Sequence, residues 1–120
     1  MGKQAVKMSN YTWEYIQQHP QEVKRLLGIS YEQLGQLIEQ GKMLDKIKQE
    51  KSEKQKIRII KALGGKPAKL SIEEQIVLTL VYLRHHLTFQ ILGLLFQVSE
   101  STAHNLFNYW QVLLREGSLI

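Results

Sequence analysis

The feature that most constrains the fold is a run of three apolar segments between residues 71 and 114, which are separated by connections of only a few residues. Ser71 and Glu74 have the spacing of a capping box at the start of the first segment. Thr88 and Ser99 stand where N-caps are expected for the second and third. Apolar residues then recur at helical intervals in each segment. The pattern predicts three consecutive helices, each beginning at one of these polar residues.

The connection between the second and third helices determines how they pack. Gln97, Val98 and Ser99 form the whole connection, which forces the two helices to cross sharply and predicts a helix-turn-helix. Gly93 and Ala103 are predicted to be small residues at the close approach, with Val98 filling the core between them. The alternative is an ordinary helical hairpin. Ile72, Gln75, Ile76, Thr79, Leu80 and Leu83 can line one face of the first helix. The second helix contains Ile91, Leu92, Leu95 and Phe96, and the apolar face of the third consists of Ala103, Leu106, Phe107, Trp110, Leu113 and Leu114.

Helical spacing also extends through the N-terminal half. Proline occurs only at positions 20 and 67, and few segments alternate apolar and polar residues. We expect a short helix capped by Asn10 or Thr12, a second helix that begins at Pro20 and ends at Gly28, and a third that begins at Ser30. The apolar positions of that third helix are Leu34, Leu37, Ile38, Leu44 and Ile47. The chain is therefore predicted to be all-α, with short N-terminal helices followed by a three-helix helix-turn-helix DNA-binding domain.

Positive charge is concentrated in the middle of the chain. Residues 42–69 hold ten basic and three acidic side chains, a net charge of +7, whereas residues 71–120 carry −2. A polyanionic partner is one interpretation, and a solvated helix face is the other. The polar stretch 48–56 fits either a continued helix or a linker. We divide the chain into an N-terminal helical region (1–63), a basic arm (64–70) and a helix-turn-helix domain (71–120).

Several classes of function are disfavoured by composition and motif. The chain has no cysteine, which removes disulfides and thiol catalysis. It has no apolar run of the roughly 20 residues that cross a bilayer, so we expect no membrane association and a cytoplasmic location, nucleoid-associated in a prokaryote. His85 and His86 point about 100° apart on a helix and are predicted to be a helix-end pair that binds no metal. We expect neither a cofactor nor a nucleophilic catalytic site.

The outward side chains of the third helix are suited to reading DNA bases. As a recognition helix it would lie in the major groove, where asparagine pairs with adenine and glutamate accepts from cytosine. Thr102 is predicted to start the helix or to contact phosphate, and Thr88 and Ser99 to anchor phosphate at helix N-termini. This face has no lysine or arginine before Arg115. The outward residues predicted to contact DNA are Glu100, Ser101, His104, Asn105 and Asn108.

Affinity for DNA comes largely from neutralised phosphates, and the third helix supplies little of that charge. The basic middle of the chain is the remaining source. We therefore predict a division of labour in which Lys66 and Lys69 on the arm bind the DNA backbone or enter a minor groove, while the third helix reads the bases.

Four segments resemble a known family: residues 64–75 (GGKPAKLSIEEQ), 78–84 (LTLVYLR), 87–90 (LTFQ) and 94–102 (LLFQVSEST). Together they closely resemble the helix-turn-helix that precedes the catalytic domain in DDE-superfamily insertion-sequence transposases. Residues 20–38 are similar to the N-terminal helices of the same proteins. The resemblance implies that this chain binds double-stranded DNA at the terminal inverted repeats of a mobile element. Two departures are Gln97, where the family usually has glycine, and His104 and Asn105, where it often has serine and arginine.

The chain is not expected to be an enzyme. DDE chemistry needs three carboxylates that hold metal ions, and the chain has one aspartate, Asp45. We expect a truncated reading frame or an excised domain, with a transposase catalytic domain or a second copy as further partners. One alternative is a protein-interaction module, and another is a regulator that competes with a transposase for its sites. The surface predicted for protein contact comprises Trp110, Leu113, Leu114, Leu119 and Ile120.

Overall fold

A computed structural model describes residues 11–51 and 70–119, and within these two ranges the chain forms helices and no strands. The all-α prediction is confirmed. Within these ranges none of the helices combines the length and apolar character needed to cross a bilayer. The helices are α1 (Tyr11–Gln18), a 3-10 turn (Pro20–Glu22), α2 (Val23–Leu27), α3 (Tyr31–Lys51), α4 (Ile72–His85), α5 (Phe89–Phe96) and α6 (Glu100–Glu116).

Local sequence determines where most of these helices begin and end. Ser71 and Glu74 form the predicted capping box: the Ser71 hydroxyl accepts from the Glu74 N–H, and the Ser71 N–H donates to the Glu74 carboxylate at 2.7 Å. Such caps satisfy N–H groups that the first turn leaves without partners. Gly28 ends α2 with a positive φ of 85°, as predicted. Thr12 as a cap is wrong, because it lies inside α1 and its hydroxyl donates to the carbonyl of Leu95. The other predicted cap, Asn10, lies outside the described residues.

Helix α4 is at the centre of the molecule. It contacts the N-terminal helices α1, α2 and α3 as well as α5 and α6. As a result every residue from 75 to 81 is buried. The prediction of a single apolar face was therefore too narrow. It missed Val77, Leu78 and Val81, and it was wrong for Leu83, which is 37% exposed near the end of the helix.

Helix α3 crosses α6 and α4 at a glycine. A Cβ atom on Gly41 would lie 2.7 Å from Ile76 Cδ1 and 3.4 Å from the Trp110 ring, so the helices approach closely there. Leu34, Leu37 and Ile38 are buried as predicted. Ile47 is 45% exposed, so this apolar position lies outside the buried face of α3. The helix continues to Lys51, so it includes the first four residues of the polar stretch 48–56.

Candidate nucleic-acid interface

The turn between α5 and α6 is short and packs tightly against α5. Gln97 ends α5 in the left-handed conformation (φ 59°, ψ 43°), and the Val98 N–H donates to the Gly93 carbonyl at 2.9 Å. A Cβ atom on Gly93 would lie 2.6 Å from the Val98 carbonyl oxygen and 3.2 Å from that of Ser99. The close approach at Gly93 is therefore real. Its partner is the backbone of the turn, whereas we had expected the facing helix.

Gln97→Gly is expected to raise the free energy of unfolding by about 0.5–1 kcal/mol, because glycine adopts a positive φ without the steric penalty of a Cβ atom. Urea unfolding followed by circular dichroism measures the change. The related substitution Gln97→Val should lower stability, since a β-branched residue is least tolerant of this conformation. A glycine variant less stable than the parent would mean that contacts of the Gln97 side chain outweigh the relief of strain.

Helix α6 has one buried and one exposed face. Ala103 and Trp110 are fully buried, and the stripe that contains them packs against α4 and α5. Thr102 is partly exposed at the start of the helix. The structure therefore places the predicted base-reading side chains together on the solvent side of α6. These exposed residues are Glu100, Ser101, His104, Asn105 and Asn108.

Two of these side chains are oriented by neighbours. The ring of His104 meets the ring of Phe89 edge-on, with centroids 4.9 Å apart. The Asn108 amide nitrogen lies 3.4 Å from His104 Nε2, one helical turn away. Within the described ranges no hydrogen bond occupies the Asn105 amide, so its donor and acceptor both face solvent. An exposed asparagine amide on a helix that lies in the major groove can form a bidentate pair with adenine.

Thr88 and Ser99 begin α5 and α6, as predicted. The Thr88 hydroxyl accepts from the Ile91 N–H, and the Ser99 hydroxyl accepts from the Thr102 N–H. Ser99 also donates to the Thr102 hydroxyl at 3.0 Å. These hydroxyls therefore work as helix caps. Thr88 and Ser99 stay candidates for phosphate contact through the exposed helix ends that they form.

Charge on the exposed face of α6 is sparse. Arg115 is about four turns beyond Ser101 and donates to the Gln111 side chain at 2.7 Å. Lys66 and Lys69, which were predicted to bind the DNA backbone, lie outside the described residues. Their role stays a prediction.

A contact between α3 and α6 was not anticipated from the sequence. The Tyr109 hydroxyl donates to Asp45 at 2.5 Å, and the Gln49 amide donates to the same carboxylate at 3.2 Å. The Lys48 ammonium lies 5.1 Å from the centroid of the Tyr109 ring. Burial, with the Asp45 carboxylate beside it, raises the pKa of Tyr109 well above its ordinary value, so the phenol keeps its proton. Tyr109 and Asp45 are 64 positions apart, and no local pattern pairs them.

A second polar contact joins α3 to the start of α4. Lys42 forms an ion pair with Glu73 at 2.7 Å, and this hydrogen bond lowers the pKa of the Glu73 carboxyl. Together with the Tyr109–Asp45 bond, it joins α3 to the helix-turn-helix.

The surface predicted for protein contact is wrong for Trp110, Leu113 and Leu114. Trp110 and Leu114 are fully buried and Leu113 is 4% exposed, because all three belong to the stripe that packs on α4 and α3. Leu119 is partly buried against the same core, and Ile120 lies outside the described residues. The large apolar side chain most exposed in this half is Leu94 on α5, which is 74% exposed.

His85 and His86 lie at the C-terminal end of α4. His85 Nε2 lies 2.8 Å from the carbonyl oxygen of Leu26, which ties α4 to α2. His86 is the C-cap residue and adopts a left-handed conformation with φ 53°. Among the residues that the structure describes, no three histidine, aspartate or glutamate side chains come together to hold a metal ion.

Comparison with known families identifies the C-terminal segment. Residues 68–117 match the model of the helix-turn-helix of DDE superfamily endonuclease. This range includes α4, α5 and α6, and the match indicates DNA binding by a transposase-type helix-turn-helix. The model matched describes a helix-turn-helix and not a catalytic domain. No curated protein and no solved structure matches the chain.

Proposed function

We propose that this chain binds double-stranded DNA with α6 in the major groove, because residues 68–117 match the helix-turn-helix of DDE superfamily endonuclease. The observation that carries the proposal is the polar face of α6, which is exposed over about two turns from Glu100 to Asn108 while the opposite face is buried. The major groove, about 12 Å wide, admits one helix with its side chains. The DNA targets that fit this family are the terminal inverted repeats of a mobile element.

The exposed residues of α6 have distinct roles in this proposal. Asn105 pairs with a base, since its amide is open to solvent and lies near the middle of the exposed face. His104 and Asn108 contact each other, so they present one polar surface beside Asn105. Ser101 and Glu100 lie at the N-terminal end, where recognition helices reach base edges. Thr102, Thr88 and Ser99 lie at helix starts, where backbone N–H groups favour phosphate.

The proposed role is recognition of DNA and not its cleavage. The segment that matches a known family, residues 68–117, matches a helix-turn-helix. The single aspartate, Asp45, is engaged by Tyr109 and Gln49 at the contact between α3 and α6. Cleavage at the bound ends would therefore be carried out by a transposase catalytic domain. Lys66 and Lys69 keep their proposed role on the DNA backbone.

Asn105→Ala is expected to weaken binding to a preferred DNA site by roughly 10- to 100-fold, the loss typical of a removed base contact. The preferred site is first selected from a random duplex library, and affinity is then measured by fluorescence anisotropy on the selected and on random duplexes. Affinity for random DNA should change little, because phosphate contacts are retained.

Gln36→Ala is the matched control, since Gln36 is also an exposed amide on a helix but lies on α3. It should leave both affinities unchanged. An equal loss of affinity for selected and random DNA in Asn105→Ala would contradict the base-reading role. A parent protein that binds neither duplex at low salt would contradict the proposed function itself.

A further inference from the structure

We infer that the C-terminal end of α3 is a second DNA contact, in which Lys48 and Lys51 bind the phosphate backbone along one edge of the groove that α6 occupies. The inference rests on the proposed function, and it adds a surface from outside the helix-turn-helix. Both lysines are exposed and lie in the last turn of α3.

Contacts along α3 show where this end lies. Gly41 packs on Trp110 and Leu114, and Leu44 packs on Gly117 near the end of α6. The next residue, Asp45, reaches Tyr109 on the edge of α6. Helix α3 therefore crosses over α6, and its last turns lie beside the Tyr109 edge.

The direction of each lysine follows from helical geometry. Lys48 is seven residues after Gly41, which is about two turns, so it lies on the face of α3 that packs against α6. Its ammonium is accordingly found 5.1 Å from the Tyr109 ring centroid. Lys51 is nearly one turn further along the helix and lies about 80° from the Gly41 direction. Lys46 and Glu50 lie about 140° and 180° from the Gly41 direction, on the outer side of α3.

Tyr109 connects this edge to the base-reading face. It is four residues after Asn105 on α6, which is one turn or about 6 Å along the axis. A helix in the major groove has a phosphate strand along each side. The strand that passes the Tyr109 edge would therefore meet Lys48 and Lys51.

The contact with α6 also holds the lysines in place. The Asp45 carboxylate accepts hydrogen bonds from Tyr109 and Gln49, so its charge is engaged within the contact. The Lys42–Glu73 ion pair is a further contact between α3 and α4, one turn earlier. This edge supplies positive charge that the exposed face of α6 lacks before Arg115.

The test is the salt dependence of binding to a random duplex, measured by fluorescence anisotropy for the parent, for Lys48→Gln/Lys51→Gln and for Lys46→Gln. Each phosphate contact contributes about 0.9 to the slope of log K against log salt concentration. The double variant should therefore lose about 1.8 from the slope and bind roughly 10- to 50-fold more weakly at 0.1 M salt. Lys46→Gln, a lysine lost from the outer side of the same helix, should keep nearly the parent slope.

Circular dichroism and the urea midpoint of each variant should show unchanged folding, since all three lysines are exposed.

A second measurement uses the absence of cysteine in the chain. An iron chelate attached to Lys48→Cys should cleave the bound duplex at one side of the site, whereas attachment to Lys46→Cys should give weaker cleavage. Equal slopes for the double variant and Lys46→Gln, with the parent still binding, would overturn this inference and leave DNA binding by α6 intact. A parent that fails to bind DNA at low salt would overturn both.

Discussion

Gly93→Ala is expected to lower the free energy of unfolding by about 2–3 kcal/mol, although alanine is the better helix former by about 1 kcal/mol. The added Cβ atom would lie 2.6 Å from the Val98 carbonyl oxygen and 3.2 Å from that of Ser99. Both oxygens belong to the backbone of the turn, so no side chain can rotate to make room. Either the turn opens or α5 moves away from it. Urea unfolding monitored by circular dichroism gives the change in free energy.

Gly35→Ala is the matched control for this substitution. Gly35 also lies inside a helix, but a Cβ atom there would meet nothing within 4 Å. The change should raise stability by about 0.5–1 kcal/mol, because glycine loses more backbone entropy on folding than alanine does. If both alanine variants were equally stabilised, the turn would be able to yield without cost, and the close approach at Gly93 would have no role in fixing α6.

The functional consequence of Gly93→Ala follows from the same contact. The turn that it displaces sets the angle at which α6 leaves α5, and α6 carries the proposed base-reading side chains. We expect affinity for a selected DNA site to fall even at temperatures where the variant stays folded. A stable variant with unchanged affinity would show that the angle tolerates this displacement.

The helix-turn-helix could be predicted from the sequence because local interactions determine it. The Ser71 capping box, the caps at Thr88 and Ser99 and the left-handed Gln97 all depend on residues within a few positions of one another. Such interactions leave a pattern that a single segment displays. The exposed face of α6 could be predicted as well, since it is opposite the apolar stripe that contains Trp110.

The packing around that motif could not be predicted in the same way. Residues 75–81 of α4 are all buried because α1, α2 and α3 pack on this helix as well as α5 and α6. A single-segment pattern does not show how many neighbours a helix has. The same reason explains why Trp110, Leu113 and Leu114 were assigned to an open surface. Part of what covers them is α3, more than 60 positions earlier in the chain.

In the candidate site too, local sequence predicted some features, whereas others depend on contacts between distant helices. Positions on α6 were assigned correctly as outward, because helical periodicity decides them. The lysines of α3 were seen only as part of a basic region, since their position beside α6 depends on the Tyr109–Asp45 contact. Charge density along a chain indicates a polyanionic partner but does not indicate which charges share its surface.

Gln75→Leu is expected to lower the free energy of unfolding by about 2–4 kcal/mol, the range for leaving two buried polar groups without partners. Gln75 is 9% exposed, and its amide bridges two elements. The side-chain oxygen accepts from the Trp110 indole N–H at 2.7 Å, and the nitrogen donates to the Leu70 carbonyl at 2.8 Å. Leucine fills a similar volume but offers neither bond. Urea unfolding followed by Trp fluorescence measures the loss.

The partner variant Trp110→Phe distinguishes a lost hydrogen bond from disturbed packing. It keeps an aromatic ring in the core but removes the indole N–H, so the Gln75 oxygen loses its donor. In the double variant both polar partners are gone, and the combined loss should be smaller than the sum of the single losses by about 0.5–3 kcal/mol. Additive losses would contradict a shared hydrogen bond. Gln36→Leu, on the exposed side of α3, should change stability by no more than about 0.5 kcal/mol.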